Sequence, residues 1–278
     1  MTTCLQAEKG GESNLVIGFK LMYFDAGIYI SIKKQDDAPV VFRSNDLVDS
    51  DLLQQLKHKF LIAIDGPAAS GKGTLARNIA ERFRLAHLDT GMLYRGLGYT
   101  LVENGQDPED EDAVQKSLDV FLVDLGPSAL SRPELRSDDA GTAASKVAAM
   151  PFVRTALLNY QQSFANQQPD EVFGAVLDGR DIGTVVCPDA DVKIYVTASP
   201  EVRAQRRHAE LVQRGIDSEY ERVLADIIQR DTRDAERAVA PLKPADDAFV
   251  LDTSHLNISE AMAEAVQLVR AQLLEKPA

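Results

Sequence analysis

The stretch FLIAIDGPAASGKGTLARNIAERF, from Phe60 to Phe83, places a strand, a loop of small residues and a helix in immediate succession. Its apolar start predicts a buried strand, and Leu75, Ile79 and Phe83 recur four residues apart, as on one face of a helix. Between them, GPAASGKGT (66–74) matches the phosphate-loop pattern G-x-x-x-x-G-K. The sequence therefore predicts that backbone N–H groups and a helix N-terminus bind phosphate oxygens here.

The residue after the loop lysine departs from the commonest form of this pattern, which has Ser or Thr at that position. Gly73 follows Lys72, so the hydroxyl moves on to Thr74. Lys72 still supplies a point charge for the terminal phosphates of a nucleotide. The form GKGT is similar to the loop of nucleoside monophosphate kinases.

The composition of the 278-residue chain is that of a globular protein, and its net charge is −13. This acidity argues against coating nucleic acid or lying on a membrane, since both roles need a basic excess. Cys4 and Cys187 are far apart, and no Cys/His spacing typical of a metal site occurs. The sequence shows neither an apolar run of roughly 18 residues nor a signal peptide. We expect no nucleic-acid or membrane partner and a cytoplasmic location.

Short apolar runs alternate with helical patterns from Phe60 onward, which predicts an α/β fold with a parallel sheet covered by helices. The predicted strands are FLIAID, AHLD, EVFGAVLD, VKIYVTA and AFVLDT. Ser199 before Pro200, and Asn257 with Glu260, indicate helix starts. A long polar or helical stretch, about 96–170, breaks the alternation and predicts an inserted substrate-binding region.

The residues before the phosphate loop form a separate region. NLVIGFKLMYFDAGIYISIKK is rich in β-branched and aromatic residues and contains a turn signal at Asp25, which predicts a β-hairpin. VVFRS predicts a third strand, and SDLLQQLKHKF predicts a short helix capped by Ser50. We expect residues 1–58 to be an N-terminal extension that forms a small β-rich module, and 59–278 to be the main domain.

Two motifs that follow predicted strands carry candidate binding residues. LDTGMLYR contains Thr90 and Arg95, and this hydroxyl and guanidinium could bind a sugar or a phosphate at the carboxyl edge of the sheet. LDGRDIGT contains two acids and Arg180. They could bind an acceptor base or phosphate, or order the waters of Mg²⁺, or simply hold a turn together by Asp–Arg pairing.

Arginines cluster in RAQRRHAEL and in QRDTRDAERAVAPL, although the chain is acidic. Charged helix faces usually form solvated pairs four residues apart. Phosphoryl transfer, however, needs cations on the transferring group, and arginines on a closing flap supply them. We predict that at least two of these arginines act in phosphoryl transfer.

Five stretches together resemble bacterial-type cytidylate kinase: IDGPAASGKGT, LDTGMLYR, AASKVAAMPFVR, LDGRDIGTVVCPDADVKIYVTAS and RDTRDAERAVAPL. The resemblance runs from about Phe60 to the C-terminus. It implies an α/β P-loop kinase core, with a parallel sheet flanked by helices, an inserted CMP-binding region over about 96–170 and a small lid over about 203–220. The implied reaction transfers a phosphoryl group from ATP, with Mg²⁺, to CMP or dCMP.

The resemblance also implies a role for each matching residue. The implied ATP-binding residues are Gly66, Pro67, Ala68, Ala69, Ser70, Gly71, Lys72, Gly73 and Thr74, with Arg203, Arg206 and Arg207 of the lid; Thr74 is also the implied metal ligand. The implied CMP-binding residues are Thr90, Arg95, Ser145, Arg154, Arg180, Asp181, Arg230, Asp234 and Arg237. Within these sets, Lys72, Arg180, Asp181 and Arg230 would be catalytic, Ser145 and Arg154 would read the cytosine, and Asp234 would accept from the ribose hydroxyls.

Two features depart from the family pattern. The insertion is shorter than usual near VDLGPSALSRPELRSDD, so we expect one or two strands of its small sheet to be missing. Residues 1–58 are extra, and they could be a fused β-rich module, a strand donor to the insertion or an over-called start.

Two alternatives to a CMP kinase remain open. One is a P-loop kinase for another nucleoside monophosphate. The other is a non-catalytic nucleotide-binding protein whose N-terminal module binds a partner. The resemblance favours a monomer with ATP and CMP or dCMP as its small-molecule partners.

Overall fold

The computed structural model describes residues 18–24, 27–33, 40–43, 53 and 58–275. The chain divides into two units, one of residues 1–58 with 268–278 and one of residues 59–267. The first contains three antiparallel strands in the order β1-β2-β3: β1 (Gly18–Phe24), β2 (Gly27–Lys33) and β3 (Val40–Arg43). The predicted hairpin and third strand are confirmed. Of the stretch SDLLQQLKHKF, for which a helix capped by Ser50 is predicted, only Leu53 and residues 58–60 are described, and Phe60 already belongs to a strand.

A parallel five-stranded sheet forms the centre of residues 59–267, in the order β5-β6-β4-β7-β8. Its strands are β4 (Phe60–Asp65), β5 (Ala86–Asp89), β6 (Gly174–Gly179), β7 (Val192–Thr197) and β8 (Phe249–Asp252). Strand β6 is buried along its whole length, as expected for a strand covered on both faces. All five predicted strands are confirmed.

Helices flank the sheet and fill the connections between its strands. They are α1 (Lys72–Phe83), α2 (Gly91–Glu103), α3 (Glu111–Val123), α4 (Pro127–Leu130), α5 (Asp138–Val147), α6 (Pro151–Asn166), α7 (Pro200–Gln213), α8 (Tyr220–Glu236) and α9 (Ile258–Glu275). The Ser199 hydroxyl accepts from the Val202 N–H at 3.3 Å, which confirms the predicted start of α7. None of the helices in the described ranges has the length and apolar character needed to cross a membrane.

The capping box predicted for the last helix is present. The Asn257 N–H donates to Glu260 Oε2 at 2.8 Å, and the Glu260 N–H donates to Asn257 Oδ1 at 3.0 Å. The predicted face of α1 is also confirmed, because Leu75, Ile79 and Phe83 are all buried.

The insertion between β5 and β6 contains helices α2–α6 and one 3₁₀ turn, Pro133–Arg136, and none of its described residues forms a strand. It has its own apolar core, formed by Leu93, Leu97, Leu101, Val114, Leu118, Phe121, Val147, Val153 and Leu157. The expectation that only one or two strands would be missing is therefore wrong, since the polar and helix-forming residues here build helices throughout. Strands β1–β3 pair with one another.

Helices α7 and α8 pack against each other through Ala204, Leu211, Val223 and Ile227. The connection between them contains Gly215, whose φ of +73° belongs to the left-handed region. The Ile216 N–H donates to Leu211 O at 3.0 Å and closes the end of α7. The segment QRGID therefore separates the two helices.

Candidate active site

The phosphate loop connects β4 to α1, and two glycines determine its path. Gly66 has φ +152°, and a Cβ there would lie 2.0 Å from Val196 O, so a larger residue cannot occupy this position. Gly71 has φ +89° and immediately precedes Lys72, the first residue of α1. The N-terminus of α1 therefore begins at the predicted loop lysine, where its free N–H groups favour an anion.

The first cavity, which we call the loop pocket, has a volume of about 980 Å³. Residues 69–75 line one side, and Arg206 and Arg207 of α7 contribute to its wall. Arg206 is fixed there because Nη1 donates to Thr253 Oγ1 at 3.0 Å and Nη2 donates to Thr253 O at 2.6 Å. This volume is at the upper end of the range for small-molecule sites, so the pocket can hold a nucleotide beside the loop.

The surroundings of Lys72 stabilise the charged form of its side-chain amine only weakly. Its Nζ donates to Pro67 O at 3.1 Å. Burial, together with the positive charge of Arg180, lowers the pKa of Lys72 to about 7, although Asp178 and Asp89 partly offset this. Negative phosphates bound at the loop would restore the charged form.

Three carboxylates lie at the ends of the strands around this lysine. Asp89 and Asp178 are paired in the register of β5 and β6, and Asp65 ends the adjacent β4. Burial, followed by the negative charge of Asp178, raises the pKa of Asp89. His87 Nε2 lies 2.7 Å from Asp178 Oδ1, which orients that carboxylate.

Asp65 connects β4 to the segment after β6. Its Oδ1 and Oδ2 accept from the N–H groups of Ile182 and Gly183, both at 2.8 Å. Burial raises the pKa of Asp65 to about 6, and these two hydrogen bonds offset only part of that effect. The acid therefore holds one turn of π-helix, Ile182–Val186, against the phosphate-loop strand.

The second cavity, which we call the arginine pocket, has a volume of only about 60 Å³. Its lining is Thr90, Gly91, Tyr94, Ala144, Ser145, Ala148, Arg154, Gly179, Arg180, Asp181, Arg230, Asp234 and Arg237. Typical ligand pockets begin at roughly 300 Å³, so a nucleotide can enter only if the surrounding helices open.

Two cations of the arginine pocket lie close to the phosphate loop. Arg180 Nε donates to Asp234 Oδ2 at 2.9 Å, and Nη1 donates to Gly179 O at 3.2 Å. Arg230 Nε is buried and has no hydrogen-bond partner among the described residues. Burial, and then the charges of Arg180 and Arg95, lower the pKa of Arg230 to about 9. A buried, unpartnered guanidinium nitrogen of this kind is suited to receive an anion.

A second group in this pocket forms around Asp181. Its Oδ2 accepts from Arg154 Nη2, and its Oδ1 lies 3.8 Å from Arg237 Nη2. This Nη2 of Arg237 is also buried without a hydrogen-bond partner in the described part of the chain. The Arg154 guanidinium lies 5.7 Å from the ring centroid of Tyr94.

A family model described as cytidylate kinase matches residues 62–271. The chain belongs to the cytidylate kinase family. It is similar to the cytidylate kinase of Xanthobacter autotrophicus, with 55% identity over 212 residues that cover 76% of this chain and 98% of that protein. The cytidylate kinase of Bradyrhizobium sp. (strain ORS 278) is 52% identical over 211 residues, 76% of this chain and 96% of that protein. The cytidylate kinase of Rhizobium meliloti is 52% identical over 217 residues, which cover 78% of this chain and 99% of that protein.

Most of the residues that the cytidylate kinase resemblance implied are brought together around the two pockets. The arginine pocket contains every implied CMP-binding residue except Arg95. Arg95 Nη1 instead donates to Leu135 O at 2.8 Å and to Ser137 O at 3.0 Å, outside the lining. Ser145 accepts from Arg233 Nη1 at 3.0 Å, so the implied cytosine-reading hydroxyl contacts α8.

The three arginines that the cytidylate kinase resemblance assigned to a lid differ in their surroundings. Arg206 and Arg207 line the loop pocket, and Arg207 also donates from Nη2 to Asp138 Oδ1 at the start of α5. Arg203 does not line the loop pocket. It lies under the phosphate loop, where its Nη1 donates to Ala68 O at 3.1 Å.

Sequence reasoning missed Asp65, His87, Asp89 and Tyr94 as site residues, and it named Asp178 only as one of the two acids of LDGRDIGT. A signal for the three acids was present, because IDGP, LDTG and LDGR each end a strand with Asp and continue to Gly within two residues. Tyr94 lies within LDTGMLYR, three residues after the start of α2. Nothing in the sequence distinguishes His87.

Proposed function

We propose that this chain transfers the terminal phosphoryl group of ATP to the phosphate of CMP or dCMP, giving ADP and CDP or dCDP. One observation carries the proposal. Arg230 and Arg237 each have a buried guanidinium nitrogen with no hydrogen-bond partner in the described part of the chain. Both arginines line the arginine pocket together with Arg180. The positive charge of Arg180 in turn acts on Lys72 of the loop. Membership of the cytidylate kinase family supports the choice of substrates.

ATP would bind in the loop pocket. The amides of residues 66–74 and the N-terminus of α1 would surround its phosphates, and Lys72 would neutralise the terminal ones. Arg206 and Arg207 contribute cations to the same pocket.

CMP would bind in the arginine pocket. Arg180, Arg230 and Arg237 would surround its phosphate, because charged hydrogen bonds from guanidinium groups suit phosphate oxygens. Asp234 would accept from the ribose hydroxyls. Ser145, and Arg154 oriented by Asp181, would read the cytosine; the hydrogen bond between Arg154 and Asp181 supports this orientation.

The reaction needs little covalent help from the protein. An oxygen of the CMP phosphate attacks the γ-phosphorus of ATP, the bond to the β–γ bridging oxygen breaks, and ADP leaves with that electron pair. The attacking phosphate is already a good nucleophile, so no strong general base is required. Positioning and neutralisation by Lys72, Arg180 and Arg230 would supply the acceleration, with Asp181 as an orienting acid.

The side chains near the loop fit Mg²⁺ as a companion of ATP. Mg²⁺ prefers oxygen ligands, keeps several waters and needs few protein groups. Within 58–275 no three His, Cys, Asp or Glu side chains form a metal-binding group, which agrees with an ion held mainly by phosphates and water. Thr74, which lines the loop pocket, would be a ligand of the ion. Asp178 would hold the ion through a water molecule. Its Oδ2 is near the loop, because it lies 3.6 Å from the position that a Cβ on Gly73 would take. The ion would neutralise charge on the β- and γ-phosphates.

The lid would close over both substrates and exclude water, which limits hydrolysis of ATP. Contacts from Arg207 to Asp138 and from Arg233 to Ser145 join α7 and α8 to α5 of the insertion, which supports such a closed form.

We further propose that residues 59–278 are the kinase domain, with the insertion over about 96–170 and the lid over about 203–220. The protein would act as a monomer in the cytoplasm, and residues 1–58 would be an N-terminal extension of the kinase domain.

A binding experiment tests the assignment of the phosphate site. Isothermal titration calorimetry with CMP and with cytidine, which lacks the phosphate, should show CMP binding at least about 100-fold more tightly. Arg230→Met should reduce this preference by about 10-fold or more, while Arg222→Met, an exposed position on the same helix, should leave it unchanged. An Arg230→Met variant that keeps the full preference would contradict the proposal.

A further inference from the structure

An ion pair between a buried arginine, Arg203, and a partly exposed acid, Asp231, joins the first turn of α7 to α8. Arg203 is only 2% exposed, and its Nη1 and Nη2 donate to Oδ1 and Oδ2 of Asp231 at 3.1 and 2.5 Å. Such a bidentate pair is strong and specific in its geometry. Arg203 Nε also donates to Ala198 O at 2.8 Å. All three guanidinium nitrogens therefore donate to protein oxygens.

The same arginine holds the backbone of the phosphate loop. Nη1 also donates to Ala68 O, which fixes the orientation of the peptide between Ala68 and Ala69. Ala69 has φ +58°, a left-handed conformation that a residue with a Cβ keeps only when its surroundings enforce it. Ala69 also packs against the apolar cluster of α7 and α8. This strained part of the loop is thus held from the side of α7 and α8.

Asp231 lies between two residues of the arginine pocket. Arg230 immediately precedes it and Asp234 follows three positions later, both on α8 and both in the lining of that pocket. A displacement of Asp231 would move these two residues as well, because all three belong to one helical turn.

We propose that Arg203 and Asp231 are positioning residues that set the phosphate loop relative to the CMP-binding face of α8. The inference rests on the proposed kinase reaction. In it, Arg203 supports the phosphate loop and does not contact ATP. The pair acts through the Ala68 carbonyl on one side and through α8 on the other. Because phosphoryl transfer depends on alignment, a displacement of about 1 Å can lower the rate by as much as about 100-fold.

The test compares a broken pair with an apolar pair of similar size. Asp231→Asn leaves Arg203 buried without its counter-ion, so it should lower both the thermal midpoint and kcat. Arg203→Met combined with Asp231→Leu removes both charges and should return the thermal midpoint close to the wild-type value. This double variant should nevertheless keep kcat at least about 10-fold below wild type, while KM for CMP changes by less than about 3-fold.

Asp226→Asn is the matched control, since it removes a carboxylate from an exposed position of α8 and should leave all these values unchanged. Arg203→Lys is the second test if the double variant does not fold. It keeps the charge but cannot bridge Asp231 and Ala68 together, so kcat should fall about 10-fold. Wild-type kcat in a stable double variant, or in Arg203→Lys, would overturn the proposal, because the pair would then act on stability alone.

One binding measurement separates this inference from the reaction itself. The affinity for a non-hydrolysable ATP analogue with Mg²⁺, measured by calorimetry, should fall about 10-fold in the double variant. Equal affinity in the two proteins would overturn the inference. A wild-type chain that binds the analogue but does not phosphorylate CMP would contradict the proposed function instead.

Discussion

Single residues of the site form a buried excess of positive charge around a place for phosphates. Burial, and then the positive charge of Arg180, lowers the pKa values of Lys72 and Arg230, whereas the charge of Asp234 helps to raise the pKa of Arg180. Asp89 and Asp178 offset only part of this effect at Lys72, and Asp234 offsets only part of it at Arg230. The described site is therefore electrostatically prepared for anions, because bound phosphates would relieve the repulsion.

Removal of the loop lysine tests this account at one residue. Lys72→Ala should lower kcat by about 10²-fold or more, since a cation on the transferring phosphates is lost where little water can replace it. A coupled assay of ADP release measures the change, and circular dichroism checks the fold. Lys116→Ala, an exposed position on α3, is the control. Unchanged turnover in Lys72→Ala would show that the phosphate loop is wrongly assigned.

The buried acid at the end of β4 predicts a pH dependence of stability. The pKa of Asp65 is raised to about 6 in the folded chain from an ordinary value near 3.8, so the folded form binds the proton more tightly. Its contribution to stability is greatest below the ordinary pKa and is lost as the pH rises through 6. From pH 4 to 7, the free energy of unfolding should fall relative to that of Asp65→Asn by up to about 3 kcal/mol. Urea titrations at these pH values would contradict this if the difference stays constant or rises.

At the scale of secondary-structure elements, the arginine pocket is built largely by helix α5 of the insertion, helix α8 and the segment after β6. Arg230 and Asp234 lie four residues apart on one face of α8, and Arg237 follows its end. Ser145 lies on α5 and is buried. Opening of α8 away from α5 would separate these groups, so the relative position of two helices controls whether the pocket is complete.

Substitution on α5 tests base recognition. Ser145→Ala should reduce the preference for CMP over UMP by about 3- to 10-fold, which corresponds to one lost hydrogen bond. The ratio of kcat/KM for the two nucleotides measures it. Thr142→Ala, exposed on the same helix, should preserve the ratio. If Ser145→Ala also preserves the ratio, the helical insertion reads the base through other residues.

The whole molecule shows where sequence reasoning succeeds. The strands were predictable because each is a short apolar run bounded by turn residues, and helix starts were predictable from caps such as Ser199. Asp89 was missed as a neighbour of Asp178 because their closeness depends on the pairing of β5 with β6, which spans the entire insertion. Arg203 and Arg206 share one helix and one motif, and only packing shows that the first lies under the loop and the second beside the pocket.

Deletion of residues 1–58 tests whether the kinase reaction belongs to the remainder of the chain. The family match lies within 62–271, and the three relatives are matched over almost their whole length. We expect the shortened chain, 59–278, to keep kcat and both KM values within about 2-fold, as an independent domain would. Loss of turnover together with a lower thermal midpoint would show that the extension is part of the kinase fold.

The most direct measurement is the rate of ADP release by the full chain with Mg²⁺ and ATP against CMP, dCMP, UMP, AMP and GMP. Our account predicts turnover that is largely confined to CMP and dCMP, because it assigns Ser145 and Arg154 to the base and three arginines to the phosphate, and all five line the arginine pocket. Equal turnover of all five nucleotides, a preference for another base, or no turnover at all would contradict it.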